Sequence, residues 1–210
     1  MLPVDFPVYL VTDRHQTAGR PLLTVVEQAL SAGVRAVQLR ERDLGTRPLL
    51  ALARDMRELT ARFGAALLIN DRVDLALAVG ADGVHLRATS LPVQVVRRLV
   101  GPERLIGLST HSVSDVERAE TDGADFVLLG PVYETPSKRE YGPPIGLAPI
   151  EAVTARCRIP VLGIGGVSAE RMAELRRVGA SGAAVISAIL SAPRVGDATL
   201  ELLAGWRRSA

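Results

Sequence analysis

The side chains of this 210-residue chain that could do chemistry fall in short polar stretches, most of them at the end of an apolar run. These are Gln38-Leu39-Arg40-Glu41-Arg42, Asn70-Asp71, His85-Leu86-Arg87, Ser109-Thr110-His111 and Ile186-Ser187, with Thr135, Ser137 and Lys138 in GPVYETPSKREYGPP and Gly165-Gly166 closing PVLGIGG. Guanidinium groups match phosphate or carboxylate oxygens two at a time, whereas a lysine meets them as a point charge. Lys138 is the only lysine among 25 basic residues, and a compact ammonium suits a narrow phosphate-binding loop better than a guanidinium does. His85 and His111 each stand between proton transfer and a plain hydrogen bond within the fold, and His15, in DRHQTAGR, reads as solvated. Glu41 and Glu134 are further candidates for a base. The lone Cys157 has no partner for a disulfide and no His or Cys at metal-ligand spacing, so it reads as a small apolar group.

The elements that must position these groups follow from the apolar runs. PVYLVTD (7–13), AVQLRE (36–41), ALLIND (66–71), GVHL (83–86), LIGLST (105–110), FVLLGPV (126–132), PVLGIGG (160–166) and GAAVISAIL (182–190) are mostly continuous, as strands buried on both faces of a parallel sheet require. A helical pattern follows each. In the second unit Leu49, Leu52, Ala53, Met56, Leu59 and Phe63 form one stripe, Ser112 and Asp115 have capping-box spacing, and Gly33, Gly64, Gly80, Gly123 and Gly179 stand where helices stop. Eight strand-then-helix units predict a single (β/α)8 barrel over residues 1–210, with a doubly wound open sheet as the weaker alternative. Such a barrel gathers the polar stretches at the C-terminal ends of its strands, and two glycines after strand 7 with a small polar residue after strand 8 match its recurrent phosphate site. The plainer reading is that the glycines serve a tight turn.

Charge and hydropathy exclude other classes. With 25 basic against 23 acidic residues the net charge is +2, which gives no stripe for nucleic acid. No apolar run reaches membrane-spanning length and no leader precedes the first strand, so a cytoplasmic protein with neither nucleic-acid nor membrane partners is expected. A homo-oligomer remains open.

NDRVDLALAVGADGVHL, LIGLSTHS, GADFVLLGPVYETPSK and IPVLGIGGV, in this order, resemble the thiamin-phosphate synthase and TenI (thiazole tautomerase) superfamily of (β/α)8 barrels, from about residue 8 to residue 190. The synthase branch joins a hydroxymethylpyrimidine diphosphate to a thiazole phosphate and expels pyrophosphate with Mg²⁺. Its diphosphate pattern Q-x-R-x-K implies that role for Gln38, Arg40 and, with the lysine exchanged, Arg42. Its first metal ligand follows an asparagine, which implies Asn70 and Asp71. Its second closes H-x-G-Q-x-D, whereas HLRATS keeps His85 and replaces Gly, Gln and Asp by Arg87, Ala88 and Ser90. A magnesium-diphosphate site needs carboxylate oxygens to share the cation, and Arg87 is equipped to meet an anion itself. The pattern T-x-T-K implies that Thr135, Ser137 and Lys138 contact the phosphates, and Ser109, Gly165-Gly166 and Ile186-Ser187 fit the rest of the thiazole-phosphate side.

An intact thiazole-phosphate half beside an altered diphosphate half is the pattern of the tautomerase branch. That branch aromatises a carboxylated dihydrothiazole phosphate by proton transfer and needs no cofactor. The expected function is therefore a thiazole tautomerase acting on a small phosphorylated thiazole, with His111 as general acid/base and Arg40, Arg42 or Arg87 on the carboxylate. Pro131 departs from this, because the tautomerase branch carries its histidine there. The alternatives are a synthase with Asp71 on Mg²⁺, and a non-catalytic regulator that binds a thiamin intermediate. A sugar-phosphate isomerase on the same barrel shares only the phosphate site. The 133–145 loop is long enough to act as a lid.

Overall fold

The computed structural model describes residues 4–135 and 143–208. Eight parallel strands, β1 (Val8–Val11), β2 (Ala36–Leu39), β3 (Ala66–Asn70), β4 (Gly83–Leu86), β5 (Leu105–Thr110), β6 (Phe126–Leu129), β7 (Val161–Ile164) and β8 (Gly182–Val185), close in sequence order. Val8 pairs with Ala183 across the seam between β1 and β8. The chain is thus a (β/α)8 barrel, and the doubly wound alternative is set aside. Its helices run outside: α1 (Leu22–Ser31), α2 (Thr46–Arg62), α3 (Val73–Ala78), α4 (Val93–Val100), α5 (Val113–Asp122), α6 (Ala148–Thr154), α7 (Ala169–Arg177), α8 (Ser187–Leu190) and α9 (Val195–Arg207).

One boundary differs from expectation. The apolar run 182–190 is not all strand: β8 stops at Val185, the backbone turns at Ile186, and α8 takes the rest. Over so few residues an apolar run fits strand and buried helix equally well, so composition could not place the turn. The helix signals fared better. Ser112 Oγ accepts from the Asp115 amide at 3.2 Å, and all five glycines expected to stop helices have positive φ.

Alternation along the strands divides the interior into two cores. Residues facing outward, such as Leu10, Val37, Leu67 and Val84, pack under the helices together with Leu49, Ala53, Met56 and Leu59 of α2. Those facing inward, among them Tyr9, Val11, Leu68, Leu105, Phe126 and Leu162, fill the barrel itself. Tyr9 and Phe126 meet edge to face there, with ring centroids 5.6 Å apart. A side chain at Gly107 would collide with Phe126 and His85, so the glycine makes room for both rings. This packed plug is the floor of the site.

Candidate active site

The same alternation selects the residues of the site. On β2 and its extension Gln38, Arg40 and Arg42 share one parity and line a cavity of about 540 Å³ at the C-terminal mouth, together with Asn70, Arg87, Ser109, His111 and Thr135. Opposite them the wall is Gly165, Gly166, Ile186 and Ser187. Glu41, of the other parity, is turned away and buried: Thr12 Oγ1 donates to it at 2.7 Å, and the Arg14 amide and guanidinium do so at 3.1 and 3.2 Å. It ties β1 to β2 and is not available as a base. Ser137 and Lys138 lie outside the described residues, as does most of the 133–145 loop expected to act as a lid. The described neck of that loop is tied down, since the Val132 amide donates to Ile164 O at 2.8 Å and that of Ile145 to Pro131 O at 2.8 Å.

The cationic side is unbalanced. Among the described residues no carboxylate lies within ion-pair distance of Arg40 or Arg42. Burial, and then the neighbouring charge of Arg42, lower the pKa of Arg40; Asp13 and Glu41 oppose the shift and Arg87 adds to it. A half-buried guanidinium held among other cations is poised to take an anion.

Asp71 is placed by its backbone. Its φ of 63° is left-handed, and the carboxylate meets the 87–90 turn. Arg87 Nη2 lies 2.5 Å from Oδ2, and Ser90 Oγ donates to Oδ1. Ser90 Oγ also accepts from the Arg87 amide at 2.8 Å. Burial would raise the Asp71 carboxyl, but the bonds from Ser90 and Arg87 outweigh it and hold the group below the ordinary carboxylate range. Arg72, next in sequence, is taken by Asp74 at 2.6 and 2.8 Å, and Asp71 offers no side-chain cap to α3.

This arrangement does not fit the Mg²⁺ that the synthase branch implies. Both oxygens of Asp71 are engaged, Ser90 stands where the second carboxylate would be, and a guanidinium occupies the place of a cation beside Oδ2. Among the described residues, no group of three or more His, Cys, Asp or Glu could hold a metal.

The histidines separate cleanly. His85 is buried, with Nε2 3.0 Å from Ser109 Oγ, and burial first and the Arg40 charge second push its pKa down to about 3. It is therefore a neutral ring that orients Ser109. His111 lines the cavity, and its Nδ1 donates to the Gly130 carbonyl at 2.7 Å, which in the neutral ring leaves the lone pair on Nε2. His15 is exposed, as expected, and lies 3.0 Å from Asp43. Gln16, which sequence reasoning passed over, also lines the cavity. Its position in a polar loop after β1 was the available signal.

The opposite wall is shaped by close approach. Gly165 and Gly166 have φ of 97° and 65°, and a Cβ on them would come within 2.8 Å of Pro131 and 2.6 Å of the Glu134 carbonyl. The plainer reading of these glycines therefore holds, and it is compatible with an anion site because both border the cavity. Arg171 fixes this region by donating to the Gly166 carbonyl and lying 4.4 Å over the Tyr133 ring. No helix among the described residues is long and apolar enough to cross a membrane.

Comparison with known proteins bears on the family. A family model described as thiamine monophosphate synthase matches residues 8–189. A Geobacter sulfurreducens protein, provisionally named a thiamine-phosphate synthase, is 54% identical, covering 97% of this chain and 96% of its own. A thiamine-phosphate synthase of Roseiflexus castenholzii is 43% identical, with 95% and 90% covered. Among solved structures, a thiamine phosphate pyrophosphorylase from Pyrococcus furiosus superposes with a TM-score of 0.89 at 34% identity, covering 98% of this chain and 97% of that one.

Proposed function

Since the chain belongs to the thiamine monophosphate synthase family, we propose that it is a transferase joining a pyrimidine diphosphate to a thiazole phosphate, rather than the tautomerase expected from the sequence. In this reaction the thiazole nitrogen lone pair forms a bond to the pyrimidine methylene carbon. The carbon–oxygen bond to the diphosphate breaks, and its electron pair leaves with pyrophosphate. The products are thiamin phosphate and pyrophosphate.

The observation that carries this reading is the pair of opposed walls in one cavity. Gln38, Arg40, Arg42 and Arg87 face Gly165, Gly166 and Ser187 across the mouth. Two phosphorylated substrates that must meet need two anion-facing walls, and three guanidinium groups on one of them suit a diphosphate better than a single carboxylate. The names of the relatives favour the same activity, and so does Pro131, which stands where the tautomerase branch carries its histidine. In this reading His111, anchored through Nδ1, positions substrate beside Ser109 and is not required to move a proton.

The test incubates the protein with hydroxymethylpyrimidine diphosphate and thiazole phosphate, in Mg²⁺ and separately in EDTA, and measures thiamin phosphate. Its appearance in either tube supports the transfer. Its absence from both, with aromatisation of the dihydrothiazole tautomer in a third, would restore the tautomerase.

A further inference from the structure

The disagreement between the family's metal requirement and the residues around Asp71 points to a different way of holding the diphosphate. We propose that Arg87 replaces the divalent cation: fixed against Asp71, its guanidinium joins Arg40 and Arg42 in binding the diphosphate end of the substrate without a metal. This rests on the reading that the cationic wall takes a diphosphate.

Three observations support it. First, Arg87 is pinned rather than loose. Nη2 lies 2.5 Å from Asp71 Oδ2, the backbone amide donates to Ser90 Oγ at 2.8 Å, and the Ser90 amide returns a bond to the Arg87 carbonyl at 3.0 Å. Asp71 therefore holds a cation carried by the chain itself, and Arg87 still lines the cavity. Asp71 engages Nη2, and the Arg87 side chain is 41% exposed, so the guanidinium keeps donor capacity that Asp71 does not use.

Second, the charges match. Three guanidinium groups less one carboxylate leave two net positive charges at this wall. Two cationic side chains and a divalent ion less two carboxylates leave the same number, so the field on a diphosphate is preserved while the ion is removed.

Third, the exchanges at 87 and 90 are interdependent. An aspartate at 90 would set a second carboxylate against Asp71 Oδ1, which is tolerable only with a cation between them. A serine there donates to that oxygen instead. The pair Arg87 and Ser90 thus forms one self-sufficient arrangement, in which a metal would have to displace a charge already neutralised.

Calorimetric titration with inorganic pyrophosphate tests the proposal on the intact protein. Pyrophosphate is expected to bind in EDTA within about threefold of its affinity in Mg²⁺, and Arg87→Ala is expected to weaken binding in EDTA by about tenfold or more. The double change Arg87→Gly with Ser90→Asp is expected to make pyrophosphate binding depend on Mg²⁺ and to create a site that Mn²⁺ resonance detects with pyrophosphate present. Circular dichroism of each variant checks that it is folded. Binding by the parent protein only with Mg²⁺, no binding in either buffer, or an Arg87→Ala variant with unchanged affinity would each overturn the proposal. Its fate is separable from that of the transfer reaction. Metal-free binding without thiamin phosphate formation would keep the anion site and remove the synthase reading, and thiamin phosphate formation with pyrophosphate bound only in Mg²⁺ would do the reverse.

Discussion

Asp82 and Asp125 at one rim of the barrel, and Arg40 and Arg42 at the other, all border strand ends, yet their charges are treated in opposite ways. At the N-terminal rim Asp82 Oδ2 accepts the Leu67 amide at 2.7 Å and the Arg57 guanidinium at 2.5 Å. Asp125 Oδ2 does the same for the Ile106 amide at 2.6 Å and for Arg97 at 2.5 Å. Each carboxylate thereby joins a strand to a neighbouring helix, and its charge is used up inside the fold. At the C-terminal rim Arg87 is paired with Asp71, whereas Arg40 and Arg42, without an ion-pair partner among the described residues, keep their charge facing a cavity. Matched charges hold a structure together, whereas an unmatched cluster costs stability and is retained for what it binds.

The largest effect that would break this contrast is at Asp125. Asp125→Ala removes the acceptor of a backbone amide and leaves Arg97 partly buried without its partner, where the two side chains are 25% and 11% exposed for Arg97 and Asp125 respectively. A loss of about 3 kcal/mol is expected in urea unfolding, with pyrophosphate affinity unchanged. A loss below about 1 kcal/mol would show that the lower rim is not where stability resides.

His85 gives a second handle, because it lies between the rims and answers to pH. Its pKa in the fold is about 3, below the ordinary histidine value of 6.5, so the unfolded chain takes up a proton that the folded chain refuses. The stability linked to neutral His85 is thus complete above pH 6.5 and is lost as pH falls from there toward 3. Between those values the slope from this group is about 1.4 kcal/mol per pH unit. Replacing His85 by Asn, which does not titrate, should flatten the unfolding free energy against pH by that one-proton slope, whatever it does to stability at pH 7. An unchanged slope would place the ring in contact with solvent.

Why the sequence disclosed some of this and not the rest is visible at particular residues. Eight apolar runs with helical stripes between them favoured a barrel over a doubly wound open sheet, since buried parallel strands and their crossovers leave few other solutions. The spacing Gln38, Arg40, Arg42 already held the parity that turns all three into one cavity. The same parity excluded Glu41, but a list of acidic residues does not show that Thr12 and Arg14 come back from 27 or more positions away to occupy it. Asp82 and Asp125, each two places after a helix-stopping glycine, carry no such signal in the sequence, because the backbone amides they accept belong to other strands. Most consequential was HLRATS. On its letters alone it reads as an altered metal motif, and that alteration points to the tautomerase. The ion pair between Arg87 and Asp71 spans 16 positions and depends on a left-handed backbone at a non-glycine residue, neither of which the pattern of letters contains.

The smallest expected change in stability is at the upper rim, where it is also the most telling. Arg42 is exposed and, among the described residues, has no ion-pair partner, while its charge works against that of Arg40. Arg42→Ala should therefore leave the unfolding free energy within about 0.5 kcal/mol of the parent. It should weaken pyrophosphate binding about fivefold, roughly 1 kcal/mol, and lower the salt dependence of that binding. Loss of stability with unchanged affinity would reverse the roles assigned to the two rims. If affinity falls and stability holds, the charge of the C-terminal mouth belongs to the ligand, because no ion pair among the described residues accounts for keeping it there.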